Sequence, residues 1–217
     1  LDTLTPATER WTPLYLEHAG HFLDRLPRLH AARAAVVCPE RVAFLDVETD
    51  GLGPAARPTT AVRVTHGTAT AYVRGVNLDA LPETLADVGL LVTYNGRRFD
   101  LPVLRRELAS LPDTPHLDLC PLLQAWGHFG GLTTIERRLG LTRPTGTSLG
   151  GKAAIALWQG YATGGDDEAL AILLRYNAKT PLASPPSCIE PCAGPWPPIP
   201  CGSSGPQPLQ PRQPFHP

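Results

Sequence analysis

Apolar and polar positions change their period along this chain, and the changes mark its elements. Residues 14–35 carry Leu14, Leu16, Phe22, Leu23, Leu26 and Leu29 at helical spacing, a lead-in helix that Pro27 must kink or split. "RVAFLDVET" (residues 41–49) is a run of β-formers ending in carboxylates, the pattern of a buried strand. "AVRVTHGTATAYVRG" (61–75) alternates on both sides of His66-Gly67 and predicts a hairpin. "LPETLADV" (81–88) has Pro82 in the first turn of a short helix, and "LLVTYNG" (90–96) is another buried strand. "FDLPVLRRELASL" (99–111) then places Leu101, Leu104, Leu108 and Leu111 on one helical face. "HLDL" (116–119) predicts a short strand, and "GLTTIERRLG" (131–140) a helix with Thr133 and Glu136 in capping-box spacing and Gly140 as its stop. Two further helices are expected around 152–162 and 166–179. Strand followed by helix recurs, so the fold class is α/β, a mixed sheet with helices on its faces.

Composition separates the last part of the chain from the rest. At 217 residues and 42% hydrophobic content, the chain can bury one sizeable core. From Pro181 to Pro217, thirteen prolines stand in thirty-seven residues with only Glu190 and Arg212 charged, which predicts a disordered tail. A net charge of −1 selects no partner, because positive charge can be concentrated in a local stripe. No run of about 18 apolar residues and no signal-peptide pattern is present, so the expectation is a cytoplasmic protein without membrane contact. Cys38 and Cys120 read as reduced core residues, while Cys188, Cys192 and Cys201 lack flanking histidines at zinc spacing. His18, His21 and His30 read as solvated or packing residues of the lead-in helix. Methionine is absent even at position 1, which suggests a fragment or an unusual start.

Chemistry enters with "FLDVETDGL" (44–52). Asp46 and Glu48 stand two apart on the predicted strand, so both side chains leave the same face. Asp166 and Glu168 repeat the spacing at a glycine-flanked helix start, where acids are ordinary caps. The Asp46 pair ends a buried apolar strand instead, where two unpaired charges are costly and a divalent cation is a natural partner. Hard oxygen ligands without nearby Cys or His favour Mg²⁺ or Mn²⁺ over zinc. Asp100 opens the helix after the "LLVTYNG" strand, and by itself it reads as an N-cap.

Together, "FLDVETDGL", "LLVTYNGRRFDLPVL", "HLDL", "IERRLGL" and "LLRYNAK" occur in an order that resembles the YprB-type ribonuclease-H-like family, within the DEDD superfamily of 3′→5′ exonucleases. The resemblance spans roughly residues 20–179. It implies a ribonuclease-H-like mixed sheet flanked by helices, nucleic acid (DNA or RNA) as partner, and phosphodiester hydrolysis with two Mg²⁺ or Mn²⁺ ions. By resemblance, Asp46 bridges both ions, Glu48 holds one and helps orient the attacking water, and Asp100 serves the second. Tyr176 matches the tyrosine of a Y-x-x-x-D motif that positions that water. Gly51 and Leu52 would pack on the terminal nucleotide, Asn95 and Phe99 would shape the same rim, and Arg97 and Arg98 would contact phosphates. The implied domains are a helical lead-in (1–38), the nuclease domain (39–180) and the tail (181–217).

One motif position departs from the pattern. An acid is expected four residues after Tyr176, and Thr180 stands there. Loss of one base after the Lys179 codon would explain both features, given codons whose other frame restores an Asp and an amphipathic continuation, and the tail would then be a frameshift product; the alternative is a natural lineage with a degenerate third motif and a genuine disordered tail. As written, the chain is expected to bind its metals poorly, with activity reduced by orders of magnitude. A module that binds nucleic acid without cleaving it is the alternative. "GTSLGGKA" (146–153) nearly spells a phosphate-binding P-loop, but Ala153 replaces the metal-binding hydroxyl and no strand is predicted ahead of it. Lys152 instead joins Arg97, Arg98, Arg105, Arg106, Arg137, Arg138, Arg143 and Arg175 as cations that can form a phosphate track if they surround the acids.

Overall fold

The computed structural model describes residue 35 and residues 41–65, 67–140 and 150–178. Five strands form one mixed sheet: β1 (Val42–Thr49), β2 (Pro58–Thr65), β3 (Thr68–Val73), β4 (Leu90–Thr93) and β5 (His116–Asp118), in the order β3-β2-β1-β4-β5. The β1–β2 and β2–β3 pairs are antiparallel; β1–β4 and β4–β5 are parallel. The helices are α1 (Leu81–Leu85, after a 3-10 turn at Leu78–Ala80), α2 (Asp100–Glu107), α3 (Leu119–Ala125), α4 (Leu132–Arg138), α5 (Gly151–Gly164) and α6 (Asp167–Ala178). The expected mixed sheet with flanking helices is what forms.

Period-two alternation along β1 divides the core. Val42 and Phe44 join Val62, Val64, Val92, Leu119, Leu122 and Ile135 on one face, where α3 and α4 pack. Ala43, Leu45 and Val47 join Leu81, Leu85, Leu101, Leu104 and Leu108 on the other, where α1 and α2 pack. Val73, Ala154, Trp158 and Leu173 tie α5 and α6 to the β3 side of the sheet. The leucine face predicted for α2 is the face that is buried, with Leu111 packed at its margin. The β1–β2 register shifts between Glu48 and Thr49, a bulge that follows directly on the two acids.

Two local expectations change. Helix α3 was not foreseen; it starts where β5 ends, and the Asp118 side chain accepts the Cys120 N–H as its cap. The Thr133/Glu136 capping box does not form, because the cap of α4 is Gly131, two residues before Thr133, and Glu136 is buried. Gly140 does stop α4, at φ 73°. Asp166 caps the last helix as expected, its Oδ1 accepting the Ala169 N–H at 2.9 Å. The lead-in helix apart from residue 35, Cys38, Thr180 and the tail lie outside the described residues. No described helix is long and apolar enough to cross a membrane.

Leu104 is fully buried between α2 and the sheet. Leu104→Ala is expected to lower the unfolding free energy by about 2–5 kcal/mol. Leu52→Ala, at a site 66% exposed, should change it by less than about 0.5 kcal/mol. Urea denaturation of the two variants checks the contrast.

Candidate active site

The site forms where β1 outruns its parallel neighbour. Pairing of β1 with β4 covers Val42–Phe44 and stops, because the chain leaves the sheet after Thr93. Val47 therefore lies beyond the end of β4, and its N–H donates to Asp100 Oδ1 at 3.0 Å. Asp100 is the first residue of α2, only 4% exposed, and its carboxylate caps the strand rather than the helix. Since Val47 lies between Asp46 and Glu48, this bond carries Asp100 to the stretch that holds the other two acids. Asp46 and Glu48, both half-buried, extend from the face opposite Val47, beside Val62 and Thr60 of β2.

The electrostatics record this convergence. Burial pushes the Asp100 carboxyl well above the usual carboxylate range, and the negative charges of Asp46 and Glu48 push it the same way, against the Val47 N–H. Three hard-oxygen donors that repel one another suit a divalent cation in chemistry. Among the described residues, no preformed group of three or more His, Cys, Asp or Glu side chains that could hold a metal ion is present.

A cleft with an empty volume of about 370 Å³ lies beside Asp46, lined in part by Phe44, Thr93, Tyr94, Leu132 and Asn177. Asn177 reaches it from α6, 1% exposed, and donates from Nδ2 to Thr60 Oγ1 at 3.1 Å; Thr60 is the register partner of Glu48. Tyr176, one residue earlier, packs instead with Val73, Ala154, Trp158 and Leu173. Sequence reasoning missed Asn177; the available signal was a polar residue one turn beyond Leu173 on the inward side of α6.

The proposed rim residues fall on two loops. Gly51 and Leu52 follow the bulge, and Leu52 stands near the start of α5, 3.7 Å from where a Cβ on Gly151 would lie. That loop is held by Asp50, which accepts the Arg57 N–H at 2.8 Å and pairs with Arg74 at 2.9 Å. Arg57 pairs in turn with Glu107, and Arg106 donates to the Ala56 carbonyl. Asn95, Arg97, Arg98 and Phe99 form the turn between β4 and α2, with Asn95 at φ 63°. Arg97 and Arg98 are exposed and make no ion pair among the described residues. Arg105 pairs with Asp113 instead. Lys152 is exposed in the first turn of α5; the stretch before Gly150 lies outside the described residues.

A family model of the RNase H superfamily matches residues 43–183, more than half of the chain and all three acids. The chain belongs to the RNase H superfamily. No match was found among curated proteins. Among solved structures, the family B DNA polymerase from the hyperthermophilic archaeon Pyrobaculum calidifontis is similar, with a TM-score of 0.52 and 16% identity over 67% of this chain. This RNase H superfamily chain covers 24% of that polymerase, and the likeness concerns the fold. Superfamily membership supports a nuclease-type function.

His116, on the edge strand β5, supplies a pH handle beside the turn. Its Nε2 lies 2.9 Å from Thr93 Oγ1, and burial lowers its pKa from the ordinary 6.5, with Arg97 and Arg105 acting the same way against Asp118. The folded ring therefore binds fewer protons than the unfolded one. Stability present above about pH 6.5 should be lost as pH falls from there toward the lowered value, and level off below it. Urea unfolding across pH 5–8 should show this slope, flattened in His116→Gln.

Proposed function

We infer that this chain is a metal-dependent nuclease of the YprB type that hydrolyses phosphodiester bonds from the 3′ end of a nucleic acid. The observation that carries this reading is the Val47–Asp100 bond, which brings a third carboxylate to the Asp46/Glu48 strand end inside a superfamily of nucleases. Asp46, Glu48 and Asp100 would hold Mg²⁺ or Mn²⁺, two ions by family resemblance. When bound, such ions supply Lewis-acid polarisation of a phosphate and a water nucleophile active near neutral pH.

The chain's own residues take the remaining roles. Arg97 and Arg98 attract the phosphate backbone to the mouth of the site. Leu52 and Gly51 pack on the terminal nucleotide, and Asn95 and Phe99 bound the same rim. By family resemblance Tyr176 would orient the attacking water from α6, although its ring packs on the Val73–Trp158 cluster and it is the neighbouring Asn177 that lines the cleft. Residues 39–180 form the nuclease domain. Thr180 in place of an acid, with no preformed metal-binding group among the described residues, is the ground for expecting weak activity and gives the alternative of a strand-binding module its footing.

A 5′-labelled oligonucleotide with Mg²⁺ or Mn²⁺ tests the reading. Stepwise shortening from the 3′ end is expected, abolished by EDTA and reduced at least about 100-fold in kcat by Asp46→Asn or Asp100→Asn. Thr180→Asp should raise the rate. Strand binding without any shortening, unchanged by either metal, would establish the binding module instead.

A further inference from the structure

The three acids and Arg97–Arg98 are used by the proposed function; Asp118 is not, yet it holds three backbone donors. Its Oδ1 accepts the Asn95 N–H at 2.7 Å and the Cys120 N–H at 3.0 Å, and its Oδ2 accepts the Arg97 N–H at 3.1 Å. The carboxylate is 8% exposed. We propose that Asp118 is a positioning residue that locks the β4–α2 turn and thereby fixes where Arg97, Arg98 and Asp100 are presented to a nucleic acid, an inference that rests on the nuclease reading.

The turn is shaped so that it needs such a clamp. Asn95 adopts φ 63°, a left-handed conformation that Asn reaches more readily than most side-chain-bearing residues and that the bond of its N–H to Asp118 helps to hold. The following Gly96 donates its N–H to Thr93 Oγ1 at 3.1 Å, and a Cβ there would meet that same oxygen at 2.1 Å. Three consecutive amides, at 95, 96 and 97, are therefore satisfied by two side chains at the ends of β4 and β5. Those positions are register partners, Thr93 opposite Asp118. The next turn begins α2: the Asn95 carbonyl accepts the Arg98 and Phe99 N–H groups and the Gly96 carbonyl accepts that of Leu101. Any slack at Asn95 or Arg97 is thus passed to Asp100 within one helical turn. Displacement of about 1 Å in a reacting group can lower a rate about 100-fold. The hydrogen bonds of Asp118 given above all run to backbone amides, so its effect on Asp100 runs through the backbone.

Asp118→Asn removes one of the two charged acceptors with little change in shape, and Asp118→Ala removes both. Asn77→Ala serves as the control: Asn77 bonds the Val73 N–H and the Ala71 carbonyl of β3, so it loses comparable backbone bonds without touching the β4–α2 turn. Amide hydrogen exchange by ¹H–¹⁵N NMR, oligonucleotide affinity by fluorescence anisotropy, and shortening of the oligonucleotide are measured on the full chain. In Asp118→Asn, exchange at Asn95 and Arg97 is expected to quicken at least about tenfold, kcat to fall at least about tenfold, and strand affinity to weaken at least about threefold; the control should change none of these. Exchange at 95 and 97 unaltered, or faster exchange with kcat and strand affinity both as in the parent, would overturn the proposal. If the parent cleaves nothing, the nuclease reading fails by itself, and the exchange and affinity measurements still decide the role of Asp118: quicker exchange with at least about threefold weaker strand binding supports it, and unchanged binding overturns it. If Asp118→Ala does not fold, Asp118→Asn alone carries the comparison.

Discussion

A parallel strand that ends early leaves donors on its neighbour without partners, and the organisation of this site follows from that constraint. β1 continues to Thr49 while β4 stops at Thr93, so the Val47 N–H faces the gap. A buried amide left unpaired costs about 1–3 kcal/mol. The Asp100 carboxylate fills the gap at 3.0 Å, which requires the β4–α2 turn to carry the helix start across the end of β1. Satisfying the backbone and assembling the acids are therefore one event. Its consequence is electrostatic strain: Asp100 is buried beside Asp46 and Glu48, and its pKa is driven up by that burial and by those charges. A fold that needed only a donor satisfied could use Asn at this place; a charged pair of neighbours with a third carboxyl is the arrangement of a site that expects positive charge.

The two walls of the site differ in stiffness. Below the acids, the turn is secured by buried or half-buried bonds to Asp118 and Thr93, each with a fixed acceptor on a strand. Above them, the loop with Gly51 and Leu52 is held largely by Arg57, Arg74 and Arg106. The Arg57–Glu107 pair lies at the surface, where such pairs contribute between 0 and about 1 kcal/mol. Arg74 is the firmer anchor, lying 4.9 Å over the Trp158 ring while paired with Asp50. Chemistry is thus built on the rigid side, and the exposed Leu52 on the side that can adapt to what it touches.

Much of the fold was legible because hydrophobic period and burial agree. β1 alternates between two cores, and the α2 leucines bury on the face their spacing indicates. What was not legible depends on partners distant in sequence. Asp100 reads as a helix cap from its neighbours, and only the three-dimensional position of Val47, 53 residues earlier, shows that its carboxylate serves the strand. Asp118 lies 23 residues from Asn95, and Asn177 lies 117 from Thr60, so neither role has a local signature. Helix α3 was hidden because Pro121, which interrupts a helical pattern in sequence, falls in its first turn, where the missing N–H costs nothing. Thr133 and Glu136 had the right spacing for a capping box, but Glu136 points inward, and spacing alone does not specify which face a residue takes.

The three acids are held differently. Asp100 is fixed by Val47, whereas Asp46 and Glu48 are half-buried. From α6 the cleft receives the neutral Asn177, bonded to the partner of Glu48, and not another acid. One fewer negative charge weakens the hold on a divalent cation, but it also lowers the repulsion that a phosphate chain meets on approach. With three carboxyl groups on one side and a neutral amide on the other, the described part of the site still favours a cation, and Asn177 moderates that preference without reversing it.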